Sequence, residues 1–410
     1  MLTVEAALRR VLARVSPLSP ESVALVDTVG RVCAREIEAT RELPAWDNSA
    51  MDGYAVRAAD VPTAETTLPV VDEVAAGDRG DRAIPPGTAA RIFTGAPLPP
   101  GTDTVILQET ATRRGDRVVF HDPPDLGQHV RRQGSDVRPG DVVVPQGQVI
   151  RPGDVSACAS QGRSQITVYR APVVSIISSG DELIAVDAGR PGPGQIVNGN
   201  CLALAAATRE VGATARILPT VGDDADATRE ALARGATGDV LLTTGGVSVG
   251  DHDHVGPTLR ALCGDAFEFW KVAIKPGKPL IFGFIGDCAV FGLPGNPGSA
   301  LVTFEIFVRP ALLAMMGHRR VARRPVSAIC DAPLRPGRKR QEYLRARTRY
   351  EGGVLHVVPA RSQSSGAMSS MSGADAFIIV APGAPARAGG EPAEILRLGP
   401  DDPGARVEIS

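Results

Sequence analysis

Between residues 171 and 318, apolar runs and helical patterns alternate along the chain in a way the flanking regions do not. VVSII, a helical stretch from about Asn200 to Val211, ATARILPTV, a helical stretch through ATREALARGA, and DVLLTT read as successive β-α-β units. That order predicts a mostly parallel sheet with helices on both faces, a three-layer α/β domain. A helix near Pro257 to Leu262 and a strand FEFWKVAI follow. Next come an antiparallel pair, PLIFGFIG with CAVFGL, and a long apolar helix SALVTFEIFVRPALLAMM, kinked at Pro310. The domain ends near Gly317.

From about Pro44 to Arg170 the pattern changes to short β runs broken by turns. IPPGTAARI, LPPGTDTVI, RPGDVVV and RPGDVSA repeat one scheme, Pro-Gly followed by Asp or Thr and then an apolar strand. From about Arg319 to Ser410, PVSAIC, EYLRARTRY, VLHVVPA, AFIIVA and AEILRL are strand-like, with Gly and Pro between them, and predict a small β-barrel. MLTVEAALRRVLARV sets Val4, Ala7, Leu8, Val11 and Leu12 at helical spacing, which suits a helix packed on another domain. The expected class is α/β plus β. Its divisions are a helix over 1–16 packed on the α/β domain, and a β-rich linking domain from 17–43 with 131–170. A β-rich domain over 44–130, the α/β domain over 171–318 and a C-terminal β-barrel over 319–410 complete them.

Composition narrows the function classes. With 410 residues the chain needs more than one core, and 43% apolar with 22% charged residues suits a soluble globular protein. The 46 acids against 44 bases, a formal charge of −2, argue against general nucleic-acid binding. No apolar run reaches the roughly 18–20 residues of a membrane span, and Glu5 with several arginines interrupts the first helix, so neither a membrane nor a signal peptide is expected. Cys33, Cys158, Cys201, Cys263, Cys288 and Cys330 stand singly, with no C-x-x-C and no clustered histidine. Zinc and disulfides are therefore not expected, and a reducing compartment, the cytoplasm, is the default location.

In an open α/β sheet ligands bind outside the carboxyl ends of the strands. The loops there are SSGDEL, TVGDD, TTGGVSVGDHD, KPGKP and LPGNPGS. TTGGVSVGD (Gly245, Gly246, Ser248) and LPGNPGS (Asn296, Pro297) place backbone amides and small side chains before helices, an arrangement that attracts phosphate. Neither matches the P-loop or the dinucleotide fingerprint, so ordinary NTPase and dehydrogenase readings lose support. Only four of the 44 basic residues are lysine, and Lys271, Lys275 and Lys278 share KVAIKPGKP. Lys275 and Lys278 are expected to face phosphate as point charges, and Lys271 to share a strand face with Lys275. The acids at the same edge, with phosphate nearby, imply a hard cation such as Mg²⁺. Two histidines in GDHDHV diverge at i, i+2 and do not make a transition-metal site. A second polar cluster, PAWDNSAMDGYAV, crowds Asp47, Asn48, Ser49 and Asp52 around Met51 and Gly53, with Thr94, Glu109, Arg131, Arg132 and Asp136 in the same region.

Read in order, DNSAMDGYAV, RIFTGAP, RRQGSD, SSGDEL, TTGGVSVGD, WKVAIKPGKP and LPGNPGS resemble the molybdopterin molybdenumtransferase family, the MoeA type that also forms the E domain of gephyrin-like proteins. The resemblance runs through almost the whole chain. It implies an enzyme that takes adenylylated molybdopterin and molybdate, hydrolyses the adenylate with Mg²⁺ and releases molybdenum cofactor and AMP. It makes 44–130 the substrate-site domain and 171–318 a molybdopterin-binding-like domain. It also implies an elongated homodimer in which one subunit's cleft faces the other's β domains, with transient contacts to the adenylyltransferase and to molybdoenzyme chaperones. Carried over by position, Asp52, Thr94, Glu182, Asp223 and Asp253 match catalytic positions, the last three also the metal-binding acids. Lys275, Lys278, Gly245, Gly246, Ser248, Asn296, Pro297 and Asp136 match binding positions, and Arg345 with Ser365 and Ser369 fits the region associated with molybdate. The sequence departs from the family where His254, Val255 and Gly256 follow Asp253, and where Gly298 follows LPGNP. The alternatives are an adenylyltransferase-like enzyme, which the flanking β regions disfavour, and a scaffold of gephyrin E-domain type, which the full set of acids and lysines disfavours.

Overall fold

A computed structural model describes residues 1–222, 224–247 and 254–399. Its central sheet has six strands in the order Thr214–Ile217, Val173–Ser178, Val240–Thr244, Cys288–Leu293, Pro279–Ile285 and Glu268–Lys271. The first four are mutually parallel and the last two antiparallel. Alternate residues of each strand enter opposite cores. Val174, Ile176, Val240, Leu242 and Phe291 pack in one core cluster with Leu204 of helix Gly199–Glu210 and Phe304 and Phe307 of the long helix. Ile177, Leu241 and Val290 pack in another with Leu232 of helix Ala225–Gly235 and Leu259 of helix Val255–Cys263. Burial on both faces is why these strands read as unbroken apolar runs.

The long helix runs as Pro297–Thr303, a π turn Phe304–Val308 and Arg309–Met315. Pro310 has no N–H to give the preceding turn, and the chain widens just before it. By length and composition this is the one helix among the described residues able to cross a membrane, yet most of it is buried inside the protein. The first helix, Val4–Leu12, is capped by the Thr3 hydroxyl, which accepts from Ala6 N at 3.1 Å. Its Val4, Ala7 and Val11 join the first core cluster.

The strands Val326–Cys330, Gln341–Glu351, Val354–Pro359, Ala376–Val380 and Glu391–Arg397 close into a five-stranded barrel, because Gln341–Glu351 pairs with both Val354–Pro359 and Ala376–Val380. A sixth strand, Ile274–Lys275, joins it from the α/β region, parallel to Gln341–Glu342. This corrects the single strand expected over FEFWKVAI. The central sheet holds Glu268–Lys271, whose last residue lies opposite Pro279, a residue with no N–H to extend the ladder. The chain then crosses to the barrel, so Lys271 and Lys275 belong to different sheets rather than to one strand face.

Residues 48–120 carry another six-stranded sheet, in the order Thr104–Leu107, Gly53–Val56, Ala89–Ile92, Thr66–Val74, Arg117–Phe120 and Ala111–Arg114. Pairing of Pro20–Ala24 with Gln165–Tyr169, and of Ile37–Glu38 with Val142–Val144, brings the two arms of the linking region together. Three of the four Pro-Gly repeats precede strands, with Gly87, Gly101 and Gly140 at φ of 72°, 91° and 92°. The fourth, RPGDVSA, is a helix, Pro152–Ser160, rather than a strand. Its Pro takes a first-turn position, and the Asp154 carboxylate accepts from Arg151 N at 2.8 Å, closing the first turn.

Candidate active site

The carboxyl ends of the parallel strands open on a cleft of about 760 Å³. The loops after three strands build it. Gly245 has φ +89°, and a Cβ there would lie 2.6 Å from the Ser179 carbonyl. A Cβ on Gly295 would sit 3.4 Å from Gly245 Cα, so the TTGG and LPGN loops pack against each other at glycine spacing. Two asparagines tie the floor together. Asn198 Oδ1 accepts from the Ser178 hydroxyl at 3.1 Å, and Asn198 Nδ2 donates to Thr220 at 3.1 Å. Asn200 Nδ2 donates to Thr244 Oγ1 at 3.1 Å and to the Gly295 carbonyl at 2.6 Å. Asn198 and Asn200 were not singled out from the sequence; the signal is VNGN at the start of a helix, where Asn198 is the cap.

Glu182, Gly245, Gly246, Lys278, Asn296 and Pro297 all line the cleft. Lys278 is exposed there. Lys275 does not line it; its ammonium pairs with Glu342 of the barrel at 2.9 Å. The start of the long helix is also less open than expected: Gly298 N donates to the Ser365 carbonyl at 2.9 Å. Gly298 is required by that contact, since a Cβ would stand 3.0 Å from the same oxygen. Among the described residues, the amides of Gly246, Gly295 and Asn296 make no hydrogen bond within the chain. Asp223, Ser248 and Asp253 lie outside the described residues.

Arg345 is 1% exposed and so does not line the cleft. Its Nε donates to Ser370 Oγ at 3.1 Å and its Nη2 to the Ser364 carbonyl at 2.8 Å. Burial lowers its pKa from the ordinary guanidinium value. Through these bonds it holds the serine loop whose Gly366 and Met368 reach the cleft wall, with Ser365 on the helix start and Ser369 exposed.

Asp52 and Thr94 are built differently. Asp52 Oδ1 accepts from Thr94 N and from Thr94 Oγ1, both at 2.8 Å. The backbone N–H of Thr94, then its hydroxyl, and then the charge of Arg91 hold the carboxyl below its ordinary pKa, so it is ionised and faces solvent. Arg91 lies over the rings of Tyr54 and Phe93, at 5.2 and 4.7 Å, and donates to the Gly53 carbonyl at 2.8 Å. Neither Asp52, Thr94 nor Asp136 lines the cleft of this chain. Others of the polar crowd are held locally: Asp47 accepts from Arg132 at 2.6 Å and from Gln133 N at 2.7 Å, and the Ser49 hydroxyl donates to the Met51 carbonyl at 2.5 Å.

Among the described residues no three His, Cys, Asp or Glu side chains converge as a metal site. All six cysteines are free and buried, and burial pushes the Cys288 thiol up to about 12. They are small apolar groups, not ligands.

Three family descriptions tile the chain. Residues 2–162 match the MoeA N-terminal region (domain I and II), 175–314 a probable molybdopterin binding domain, and 327–398 the MoeA C-terminal region (domain IV). A protein of Haemophilus influenzae named molybdopterin molybdenumtransferase is 35% identical over 386 residues, covering 93% of this chain and 94% of its own. A protein of the same name from Synechococcus elongatus is 35% identical over 411 residues, covering 97% and 100%. The crystal structure of the molybdopterin biosynthesis moeA protein from Pyrococcus horikoshii superposes with a TM-score of 0.83 at 29% identity, over 97% of this chain and 100% of that one.

Proposed function

The chain belongs to the MoeA family of molybdopterin molybdenumtransferases, and from that premise we propose that its cleft holds adenylylated molybdopterin and that a second copy supplies Asp52 and Thr94. The activity is a transferase reaction, insertion of molybdenum into molybdopterin. The observation that carries the finer reading is the division of the site. Among the described residues the cleft offers amides, one ammonium and a single acid, Glu182, while a carboxylate fixed by two donors, Asp52, stands outside it.

In this reading the amides of Gly246, Gly295 and Asn296 hold phosphoryl oxygens, and Lys278 offsets the charge that grows on the departing phosphate. Asn198 and Asn200 fix the loops that carry these amides, so the donors are set before substrate arrives. Lys275 stays outside the cleft, its charge offset by Glu342. Asp52 stays ionised because Thr94 donates to it twice, and it accepts a proton from the attacking oxygen at the adenylate phosphate. Glu182, a hard oxygen donor on the cleft wall, fits Mg²⁺, with Asp223 and Asp253 as its expected companions. When bound, that ion would neutralise diphosphate charge. Molybdate is the co-substrate. The enzyme works as a homodimer in the cytoplasm, where its protonated buried thiols stay reduced. Transient contacts with the adenylyltransferase that makes the substrate and with molybdoenzyme chaperones that take the product complete the reading.

The test is to incubate the purified protein with adenylylated molybdopterin, Mg²⁺ and molybdate and to follow AMP. Release that depends on molybdate and Mg²⁺ supports the reading. ATP-dependent adenylylation of molybdopterin instead would assign the chain the preceding step.

A further inference from the structure

Three of the four lysines of this arginine-rich chain, Lys275, Lys278 and Lys339, fall along one strip. Lys271, Lys275 and Lys278 are close in sequence, but Lys339 is 61 positions further on. Pairing of Ile274–Lys275 with Gln341–Glu342 brings it towards Lys275. Lys339 belongs to RPGRKR, in which four of the six residues, Arg335, Arg338, Lys339 and Arg340, are cationic.

The loop is held, and three of its four charges are not used to hold it. Leu334 and Arg387 exchange two backbone hydrogen bonds at 3.0 Å, Gly337 N donates to the Ala384 carbonyl at 2.8 Å, and Gly383 N donates to the Arg338 carbonyl at 3.0 Å. A Cβ on Gly337 would lie 2.1 Å from the Ala381 carbonyl, so the backbone is pressed onto the neighbouring loop. Arg335, Arg338 and Lys339 are exposed. Among the described residues none of the four cations forms an ion pair, whereas Arg349 of the same barrel pairs with both Asp331 and Glu351. Four like charges on a fixed loop repel one another, and only Arg340 of them makes a bond that serves the fold. Arg340 Nη1 reaches the Ile274 carbonyl at 3.4 Å, so the strip runs from the loop through Lys275 to Lys278 on the cleft wall.

We infer that residues 335–340 are an electrostatic guide that draws a polyanionic, diphosphate-bearing small substrate towards the cleft. The inference rests on the reading of the cleft given above. The net charge of −2 leaves the surface near neutral overall, so a local positive strip leading into the site raises the encounter rate for anions and repels cations. The guide acts before chemistry, and its mark is on kcat/KM at low salt, not on kcat.

The experiment compares wild type with R335S/R338S/K339S and with R335E/R338E/K339E, following molybdate-dependent AMP release from about 20 to about 500 mM NaCl, a range that shortens the screening length from about 20 Å to a few ångströms. Arg340 is left in place because it bonds to the backbone. The serine variant should lose about tenfold in kcat/KM at the lowest salt with kcat unchanged, and its curve should meet the wild-type curve at the highest. In the glutamate variant kcat/KM should rise with salt, a reversal of sign that loss of folded protein does not imitate. Superimposable salt curves for all three proteins overturn the guide and leave the activity standing, as does a fall in kcat alone. A wild type that releases no AMP at all overturns the activity reading and the guide with it.

Discussion

The cleft and the Asp52–Thr94 turn solve opposite problems. The cleft is concave, with a floor cross-linked by Asn198 and Asn200 and two glycine loops packed back to back. The turn stands outside that cleft, and its carboxylate is fixed by two donors at 2.8 Å and backed by Arg91. In the proposed reading the cleft, whose one described acid is Glu182, and the Asp52 carboxylate outside it are two halves of one site. On that reading the difference teaches where precision would be held: in backbone spacing on the α/β side, and in one side-chain pair on the β side.

The largest effect expected from breaking this comparison comes from the turn. Asp52→Asn keeps the shape and removes the charge, and should lower kcat for AMP release by about 10²-fold or more while substrate binding, read by fluorescence or calorimetry, is retained. On the cleft side Gly245→Ala should act through structure. Its φ of +89° and the Ser179 carbonyl 2.6 Å from the new Cβ imply a cost of about 1–3 kcal/mol. A lower thermal midpoint with weakened substrate binding is the expected signature, and a variant as stable and as tight as wild type would remove the close-packed loops from the account.

Thr94→Val should be the mildest and the most diagnostic. It deletes one of two donors that keep the Asp52 carboxyl below its ordinary pKa. Losing that bond raises the pKa, so the acid limb of the pH–rate profile should move to higher pH while the rate near neutrality changes little. The same sign holds for stability. A depressed folded pKa stabilises above the unfolded value, and that contribution is lost as pH falls through the folded value.

Much of this was legible in the residues. The parallel strands read as apolar runs because both faces are buried, and the barrel strands as strand-like runs set between Gly and Pro turns. The cleft loops could be located because ligands gather at the carboxyl edge of such sheets. What escaped depends on long-range partners. Lys275 turns to Glu342, 67 residues away, and FEFWKVAI divides between two sheets because Pro279 ends one ladder and Gln341 starts another. Arg345 is a buried strut on the outer face of the barrel, opposite the core-facing Leu344 and Ala346, since the serines that accept its bonds curl back from the following loop. RPGDVSA becomes a helix although RPGDVVV closes its turn with the same bond, Asp141 accepting from Arg138 N at 2.7 Å; what differs is the chain that follows, small residues over 156–160 in the helix against the β-branched Val142–Val144, which pairs with Ile37–Glu38.

The central claim, that each site takes its cleft from one copy and its carboxylate from another, has a direct test. Asp52→Asn and Lys278→Ala chains, each inactive alone, are unfolded together, refolded as mixed dimers and assayed for AMP release. A site shared across a two-fold axis predicts recovery of about a quarter of wild-type activity, because half the dimers are mixed and each mixed dimer has one intact site. No recovery in a mixture shown by mass to contain mixed dimers would contradict it.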